Sequence, residues 1–201
     1  MNLHGLAGPV IAAVNPQMPA TLQVSVGPGA RAVDGTYPAL VYATPGSITA
    51  SIGGLVLTVS AIASGTLQAG QALADITAAL LPGTVITGQL TGSAGGIGTY
   101  SVNQTQTVAS EAMTTSRPVI AQVQPLTWRD LQQLDGLNLQ GTRRKIYLYG
   151  RADGAVRPLA KGGDLITIAT GGVNDGIYLV AQVLEQFPDW VSVAATLQNN
   201  S

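Results

Sequence analysis

Charged side chains are nearly absent from a long central stretch of this chain, and that gap constrains the fold more than any other feature. Residues 48–116 contain no Lys or Arg, and their only acidic residues are Asp75 and Glu111. Gly, Thr, Ser and Ala dominate the stretch. The composition therefore changes abruptly at both ends of this stretch. Two such changes indicate a module inserted at an exposed loop of another domain. We therefore predict a discontinuous domain over 1–47 plus 117–201 and an inserted β-rich domain over 48–116.

Short segments with alternating apolar and polar residues recur through the outer domain. They cover 21–26, 37–42, 118–123, 145–149, 164–169, 177–184 and 190–197. Alternation with period two is typical of half-buried strands. Short strands joined by tight turns predict a mainly β fold, a small antiparallel β-barrel or sandwich, preceded by an N-terminal arm over 1–20.

The inserted domain carries the same strand signal between Gly-rich turns, at 55–61, 84–90, 98–103 and 106–113. The segment 67–81 stays open between helix and strand. Its apolar residues Leu73, Ile76 and Leu80 have helical spacing, but Gly70 precedes them and Thr77 lies among them.

One short helix is expected to begin after Thr127. Thr127 as N-cap, with Asp130 three residues later, resembles a capping box in which Asp replaces the usual Glu. Leu131 and Leu134 would face inward, and Gly136 is a plausible end to the helix.

The overall composition favours a protein that contacts other proteins. Only 9% of the residues are charged while 46% are hydrophobic, and the net charge is -1. A surface with so few charges indicates extensive contact with other subunits. The chain has no Cys, its first residues lack the basic start of a signal peptide, and its apolar runs are too short for a membrane helix. We expect no membrane association.

The residues that carry catalysis or bind metals are few and scattered. The single His, His4, lies in a Gly-rich terminus, and the Gly-rich run 92–98 is followed by a strand pattern without a Lys, unlike a phosphate loop. The carboxylates lie mostly beside Gly or Pro, as is common in the turns of β proteins. We therefore expect no enzyme, no cofactor and no metal.

One basic cluster, Arg143, Arg144 and Lys145, stands out in a chain so poor in charge. A hairpin could bring Arg151, Arg157 and Lys161 to it. The cluster either lines a passage for DNA or pairs with an acidic partner ring, or it is a solvated strand end. The default for Trp128 and Trp190 is core packing, and the alternative for Trp128 is anchoring an interface. The candidate residues for contacts between subunits are Trp128, Leu134, Leu137 and Leu139.

Several runs in the last third of the chain resemble the head-tail connector proteins of tailed bacteriophages, of the stopper or head-closure kind. The runs are Leu126-Thr127 with Asp130 to Gln133, Gly136-Leu137-Asn138, Gln140-Gly141, Arg143 to Leu148, Lys161 to Ile166, Tyr178-Leu179-Val180 and Pro188-Asp189-Trp190. The arm over 1–15 is similar to the start of such proteins.

This resemblance implies a structural virion protein in the collar or neck of the particle. Such a protein forms a homo-oligomeric ring of about six or about twelve copies, in which each interface is heterologous. A portal or adaptor would lie above it and a tail terminator or other tail proteins below it. Genomic double-stranded DNA would pass through the lumen without sequence-specific contacts. Arg143, Arg144 and Lys145 would face the lumen or the adjacent ring. The ring would assemble in the host cytoplasm.

The central stretch carries a second resemblance. The runs Gly83 to Ile86, Gly95 to Val102 and Gln106 to Ser110 look like a repeat-type β module of phage tail-fibre and other virion proteins. Two alternatives to a connector therefore stay open. One is a tail terminator or another tail or baseplate protein, and the other is a surface-decoration or glycan-binding module carried by the insert.

Overall fold

The computed structural model describes residues 16–28, 33, 40–134, 141–154 and 162–198. This part of the chain forms twelve strands and one short helix. In chain order they are β1 (Met18–Gln23), β2 (Ser25–Pro28), β3 (Leu40–Tyr42), β4 (Gly46–Ser64), β5 (Ala72–Asp75), β6 (Ile86–Gln89), β7 (Gly98–Ser116), β8 (Pro118–Gln124), α1 (Trp128–Gln133), β9 (Arg143–Tyr149), β10 (Leu165–Ile168), β11 (Gly176–Gln186) and β12 (Trp190–Gln198).

The chain divides into two compact units. The first, which we call the barrel unit, combines Met1–Leu40 with Val119–Ser201, and the second, the central unit, is Val41–Pro118. The composition breaks predicted these two borders at 47/48 and 116/117. The structure puts the first border seven residues earlier and the second two residues later. Strand β1 begins at Met18, so the last three residues of the predicted arm are part of the barrel.

Six strands of the barrel unit close into a barrel in the order β1-β10-β11-β12-β9-β8. The described pairings along this path are antiparallel. Leu22 of β1 pairs with Ile166 of β10, and Ile166 pairs with Tyr178 of β11. The predicted fold class, mainly β with a small antiparallel barrel and one short helix, is confirmed.

The inward-facing residues of these strands form one apolar core. Leu22, Ile146, Ile166, Val180 and Val193 have no exposed surface. Burying an aliphatic side chain of this size contributes about 2 kcal/mol. The alternation of Ile146 and Leu148 with Tyr147 and Tyr149 arises because successive side chains on a strand point to opposite faces.

The central unit is built on two strands of 19 residues, β4 and β7. They pair antiparallel from Gly46–Thr115 to Val59–Gly98, with register shifts after Ala50 and after Gly54. Strands β5 and β6 both pair with β7. The ends of β4 approach each other, since the Thr66 amide donates to the Ala43 carbonyl at 3.1 Å. This bent sheet encloses a second core that includes Leu57, Ile86, Tyr100 and Met113.

One expectation for the central unit needs correction, and the segment left open between helix and strand can now be assigned. The strands predicted at 98–103 and 106–113 are one continuous strand, β7. The segment 67–81 contains a short strand, β5, and no helix. Its helical spacing is misleading, because Leu73 and Leu80 are buried while Ile76 is 93% exposed.

Within the part of the chain that the structure describes, no helix is both long enough and apolar enough to cross a bilayer.

Candidate functional site

Helix α1 is fixed at its N-terminus by the predicted capping box. The Thr127 hydroxyl accepts a hydrogen bond from the Asp130 amide at 3.3 Å, and Asp130 Oδ2 accepts one from the Thr127 amide at 2.9 Å. These bonds satisfy two of the amides that the first turn of a helix leaves unpaired. A helix of six residues is marginal alone, so it depends on such local bonds and on packing.

The same carboxylate anchors the helix to the barrel wall. Asp130 Oδ1 lies 3.2 Å from the Lys145 Nζ, and both side chains are less than a tenth exposed. The Lys145 ammonium also lies 5.3 Å from the centre of the Tyr147 ring and 4.0 Å from Glu185 Oε2. This ion pair links α1 to β9. Removing either partner should be strongly destabilising, because the other charge would stay buried without its counter-ion.

The ionisation of both groups reflects this pairing. Burial opposes the charged form of Asp130, but hydrogen bonds from Thr127 and Lys145 outweigh it and lower the pKa of the carboxyl below 3.8. Burial also opposes the charged form of Lys145, but contacts with Tyr147 and Asp130 raise the pKa of the ammonium above 10.5. Both groups are therefore charged at neutral pH.

The predicted basic cluster does not form one patch. Arg143 is exposed, Arg144 is half-buried and Lys145 is 7% exposed. Because side chains alternate along β9, Arg144 points to the opposite face from Arg143 and Lys145. Burial raises the pKa of Tyr178, and the positive charge of Arg144 opposes that rise. Lys145 is occupied inside the subunit by Asp130. Candidate contacts with DNA or a neighbouring ring therefore reduce to Arg143 and Arg144. Arg151, a further predicted member, has a side chain that is 72% exposed, and Arg157 and Lys161 lie outside the described residues.

The residues predicted to contact other subunits differ in their exposure. Trp128 is 75% exposed at the start of α1, so its default interpretation as a core residue is wrong. Leu134 is 3% exposed and ends the helix, where its amide donates to the Asp130 carbonyl. Leu137 and Leu139 lie outside the described residues. A large exposed aromatic on a fixed helix is the kind of side chain that anchors protein interfaces.

Asp164, in the Gly-Asp-Leu-Ile run, has a structural position. The residue is 1% exposed, and its carboxylate accepts hydrogen bonds from the Ser25 and Asp153 amides, each at 2.8 Å. Its own amide donates to the Asp153 carbonyl. The Asp164 side chain thus joins three segments of the barrel unit that are distant in sequence, and these bonds account for its burial.

An aromatic patch on the outer face of the barrel was not predicted as a site. The Phe187 and Trp190 rings stack with centroids 4.3 Å apart, and the Tyr147 ring lies 5.7 Å from Trp190. Tyr149 pairs with Trp190 across β9 and β12, and with Tyr147 and Ile120 it lines a shallow depression. We call Ile120, Tyr147, Tyr149, Phe187 and Trp190 the aromatic patch. The alternation in β9 could have predicted that Tyr147 and Tyr149 share one face. It could not predict that Phe187, which lies outside β9, stacks beside them.

Within the described ranges, no group of three or more His, Asp or Glu side chains is close enough to hold a metal ion. The Gly-rich run 92–98 is a turn that leads directly into β7, as predicted, and the Gly96 amide donates to the Ser93 carbonyl at 2.8 Å. No helix follows it to complete an anion site.

Comparison with known proteins adds no relative: no protein-family model matches the chain, and no curated protein or solved structure is significantly similar to it.

Proposed function

We propose that this chain is a structural virion protein that forms a ring at the head-tail junction of a tailed phage. In this role it helps to retain packaged DNA and gives the tail a platform for attachment. The observation that carries the proposal is Trp128, 75% exposed on a helix that Asp130 fixes to the barrel. The resemblance of the last third of the chain to connector proteins and the 9% content of charged residues support it.

The geometry suits binding between proteins better than it suits chemistry. Among the described residues of the barrel unit, the buried acids are Asp130 and Asp164, and both are engaged in holding the fold together. Trp128 and Arg143, by contrast, are exposed side chains that a partner protein could contact. An indole that becomes fully buried between subunits is often worth more than 2 kcal/mol of binding energy.

The first test replaces Trp128 in the phage that encodes this protein. Trp128→Ala should lower the fraction of particles that carry tails, because the subunits lose an interface anchor. The measurement is a count of tailed and tailless particles by electron microscopy. Val173→Ala is the matched control, since Val173 is a fully exposed apolar residue on a turn of the same unit. Equal tail attachment in both variants would reject the role of Trp128.

A second test concerns the exposed Arg143 and the half-buried Arg144. Arg143→Gln combined with Arg144→Gln should lower the retention of packaged DNA or the attachment of tails, since both lose electrostatic attraction to phosphates or acidic partners. Wild-type DNA content and infectivity would show that these residues are a solvated strand end.

An electron-microscopy map of the virion would show where in the particle the protein lies. Density along the tail or baseplate instead of the neck would favour a tail protein.

A third test addresses the central unit. Replacing residues 46–116 by a short Gly-Ser linker should leave particle assembly intact, because the barrel unit contains all the strands of its closed sheet. Loss of tail joining in this variant would show that the central unit takes part in the junction.

A further inference from the structure

The two acidic residues of the central unit lie in one hydrogen-bonded cluster. Thr77 Oγ1 lies 2.9 Å from Asp75 Oδ2 and 2.5 Å from Glu111 Oε2. The pairing of β5 with β7 brings these groups together, because it places Asp75 opposite Met113, two positions beyond Glu111 on β7. We call Asp75, Thr77 and Glu111 the acid cluster.

The acid cluster has too few hydrogens for its contacts if both carboxyl groups are ionised. A threonine hydroxyl carries one hydrogen, and an ionised carboxylate only accepts. Thr77 can therefore donate to Asp75 or to Glu111, and the remaining contact would join two acceptors. Glu111 Oε1 is also buried and, among the described residues, has no hydrogen-bond partner. A proton on Glu111 supplies the missing donor and removes the charge from this buried oxygen.

The central unit also lacks a cation that could neutralise the acid cluster. All of its residues are described, and Arg117 is its only Lys or Arg. Arg117 follows β7, six residues beyond Glu111, which is about 20 Å along an extended strand. The other titratable side chains of the unit are the phenols of Tyr42 and Tyr100, which carry no charge at neutral pH, and β4 and β6 contribute none. Two carboxyl groups that share a site without a cation favour retention of one proton.

We propose that Asp75 and Glu111 share one proton, which ties the segment between them and β6 to strand β7 and leaves as the pH rises. This inference is independent of the proposed role in the virion. In the protonated cluster Glu111 donates a hydrogen bond to the Thr77 oxygen, and the Thr77 hydroxyl donates to Asp75.

The ionisation of Asp75 shows which group holds the proton. Burial opposes the charged form of Asp75, but hydrogen bonds from Thr77, from the Leu80 and Ala79 amides and from Glu111 lower the pKa of its carboxyl below 3.8. A carboxyl group donates a hydrogen bond only when it is protonated. Asp75 is therefore the ionised member of the cluster and Glu111 the protonated one.

The proton helps to fix a segment that reaches the core. Leu80 is 7% exposed and belongs to the core of the central unit, and the Leu81 amide donates to Gln106 Oε1 on β7 at 2.8 Å. The folded cluster holds its proton more tightly than an unfolded chain, in which a Glu carboxyl titrates at about pH 4.3. The stabilisation is therefore present below that pH and is lost as the pH rises through the titration midpoint of the folded cluster.

NMR of the full-length protein measures the proton directly. The carboxyl carbon shift of Glu111, followed from about pH 3 to about pH 9, gives its titration midpoint. Asp75→Asn removes the neighbouring charge and should lower this midpoint by about one pH unit or more. Glu185, an acid of the barrel unit, is the reference and should titrate identically in both proteins. Equal midpoints for Glu111 in the wild type and in Asp75→Asn would overturn the proposal.

Glu111→Gln tests the tie to β7 while the Asp75 turn stays intact, because Gln keeps a donor that it cannot lose. In the wild type, protection of the Leu81 amide, corrected for the intrinsic exchange rate, should fall as the pH rises. The fall should be about tenfold for each pH unit by which Asp75 raises the Glu111 midpoint. In Glu111→Gln this protection should stay constant. The Val85 amide, bonded to Asn103 Oδ1, is the reference and should respond in neither protein. The same pH dependence of Leu81 protection in both proteins would contradict the proposal.

Discussion

The two units of the molecule stabilise their turns with different chemistry. In the barrel unit the acceptors are carboxylates. Asp164 accepts from two backbone amides, and Asp175 accepts from the Thr170 and Gly171 amides at 3.0 and 2.7 Å. Asp130 caps a helix and pairs with Lys145.

In the central unit, the side chains that hydrogen-bond to the backbone of the turns are mainly the neutral amides of Gln and Asn. Gln71 donates to the Thr66 carbonyl at 2.9 Å and accepts from the Gln68 amide at 3.1 Å. Asn103 accepts from the Val85 amide at 2.7 Å and donates to the Gly83 carbonyl at 3.0 Å. Asp75 is the exception, since its carboxylate accepts from the Ala79 and Leu80 amides.

This difference explains how a module with almost no charge folds. An ionised carboxylate only accepts hydrogen bonds, whereas an amide side chain donates and accepts at once. An amide can therefore bridge a backbone N–H and a backbone C=O without the cost of burying a charge. We expect the barrel unit to respond to loss of charged groups and the central unit to respond to loss of amides.

The largest effect should come from Asp164→Ala. Two buried backbone amides would lose their acceptor, at about 1–3 kcal/mol each, so the free energy of unfolding should fall by roughly 4 kcal/mol. Denaturant unfolding followed by tryptophan fluorescence measures it. Asp175→Ala, in an exposed turn of the same unit, is the control and should cost much less. Similar losses in both variants would show that burial is not what makes Asp164 matter.

The next effect concerns the buried ion pair. Lys145→Met leaves the Asp130 carboxylate buried without its cation and should destabilise the barrel unit by about 3 kcal/mol. Adding Asp130→Leu should recover part of this loss, because the uncompensated charge is then gone, although the helix cap is lost as well. A double variant less stable than Lys145→Met would mean that the cap outweighs the pair. Denaturant unfolding provides both numbers.

A smaller effect is expected in the central unit from Gln71→Ala. Gln71 is 1% exposed, and its loss removes two hydrogen bonds from the 66–71 turn, which should cost about 1.5 kcal/mol. Hydrogen exchange of the β7 amides measures the local stability. Gln104→Ala, which removes one bond to the Pro82 carbonyl, should cost less. If the Gln71 effect changed between pH 7 and pH 3, the assignment of a neutral bridge would be wrong.

The smallest effect is a local response to acid within the central unit. Burial raises the pKa of Asp75, but hydrogen bonds from Thr77, Leu80 and Ala79 outweigh it and lower the pKa below 3.8. The stabilisation from this carboxylate is therefore present above pH 3.8 and is lost as the pH falls through the lowered value.

Hydrogen exchange can detect this response residue by residue. The Ala79 and Leu80 amides should lose protection in acid, after correction for the intrinsic exchange rate. The Val85 amide, bonded to the neutral Asn103, should keep it. Equal loss at all three positions would indicate unfolding of the whole unit instead of titration of Asp75.

Local signals in the sequence predicted most of the barrel unit. Period-two alternation identified the strands because each has one face in the core, as Ile146 and Leu148 show. The capping box was predictable because Thr127 and Asp130 are only three residues apart and need no other part of the chain.

The failures came where the partner is distant in sequence or the residue spacing is deceptive. Lys145 looked like part of a surface cluster because nothing near it in the sequence identifies Asp130 as its partner. The helical spacing of Leu73, Ile76 and Leu80 coincides with a turn in which the Asp75 side chain accepts from backbone amides. Such a side chain competes with helix formation.

The order of the barrel strands sets a sequence of events during synthesis. Strand β1 emerges from the ribosome early, but Ala20 pairs with Ile168, so β1 has no partner on that side until the last strands are made. The central unit, Val41–Pro118, contains β4 to β7 together with all their described partners. It can fold while the chain is still growing, whereas the barrel closes only after β12 has been synthesised. We therefore expect the charge-poor central unit to fold before the barrel unit closes.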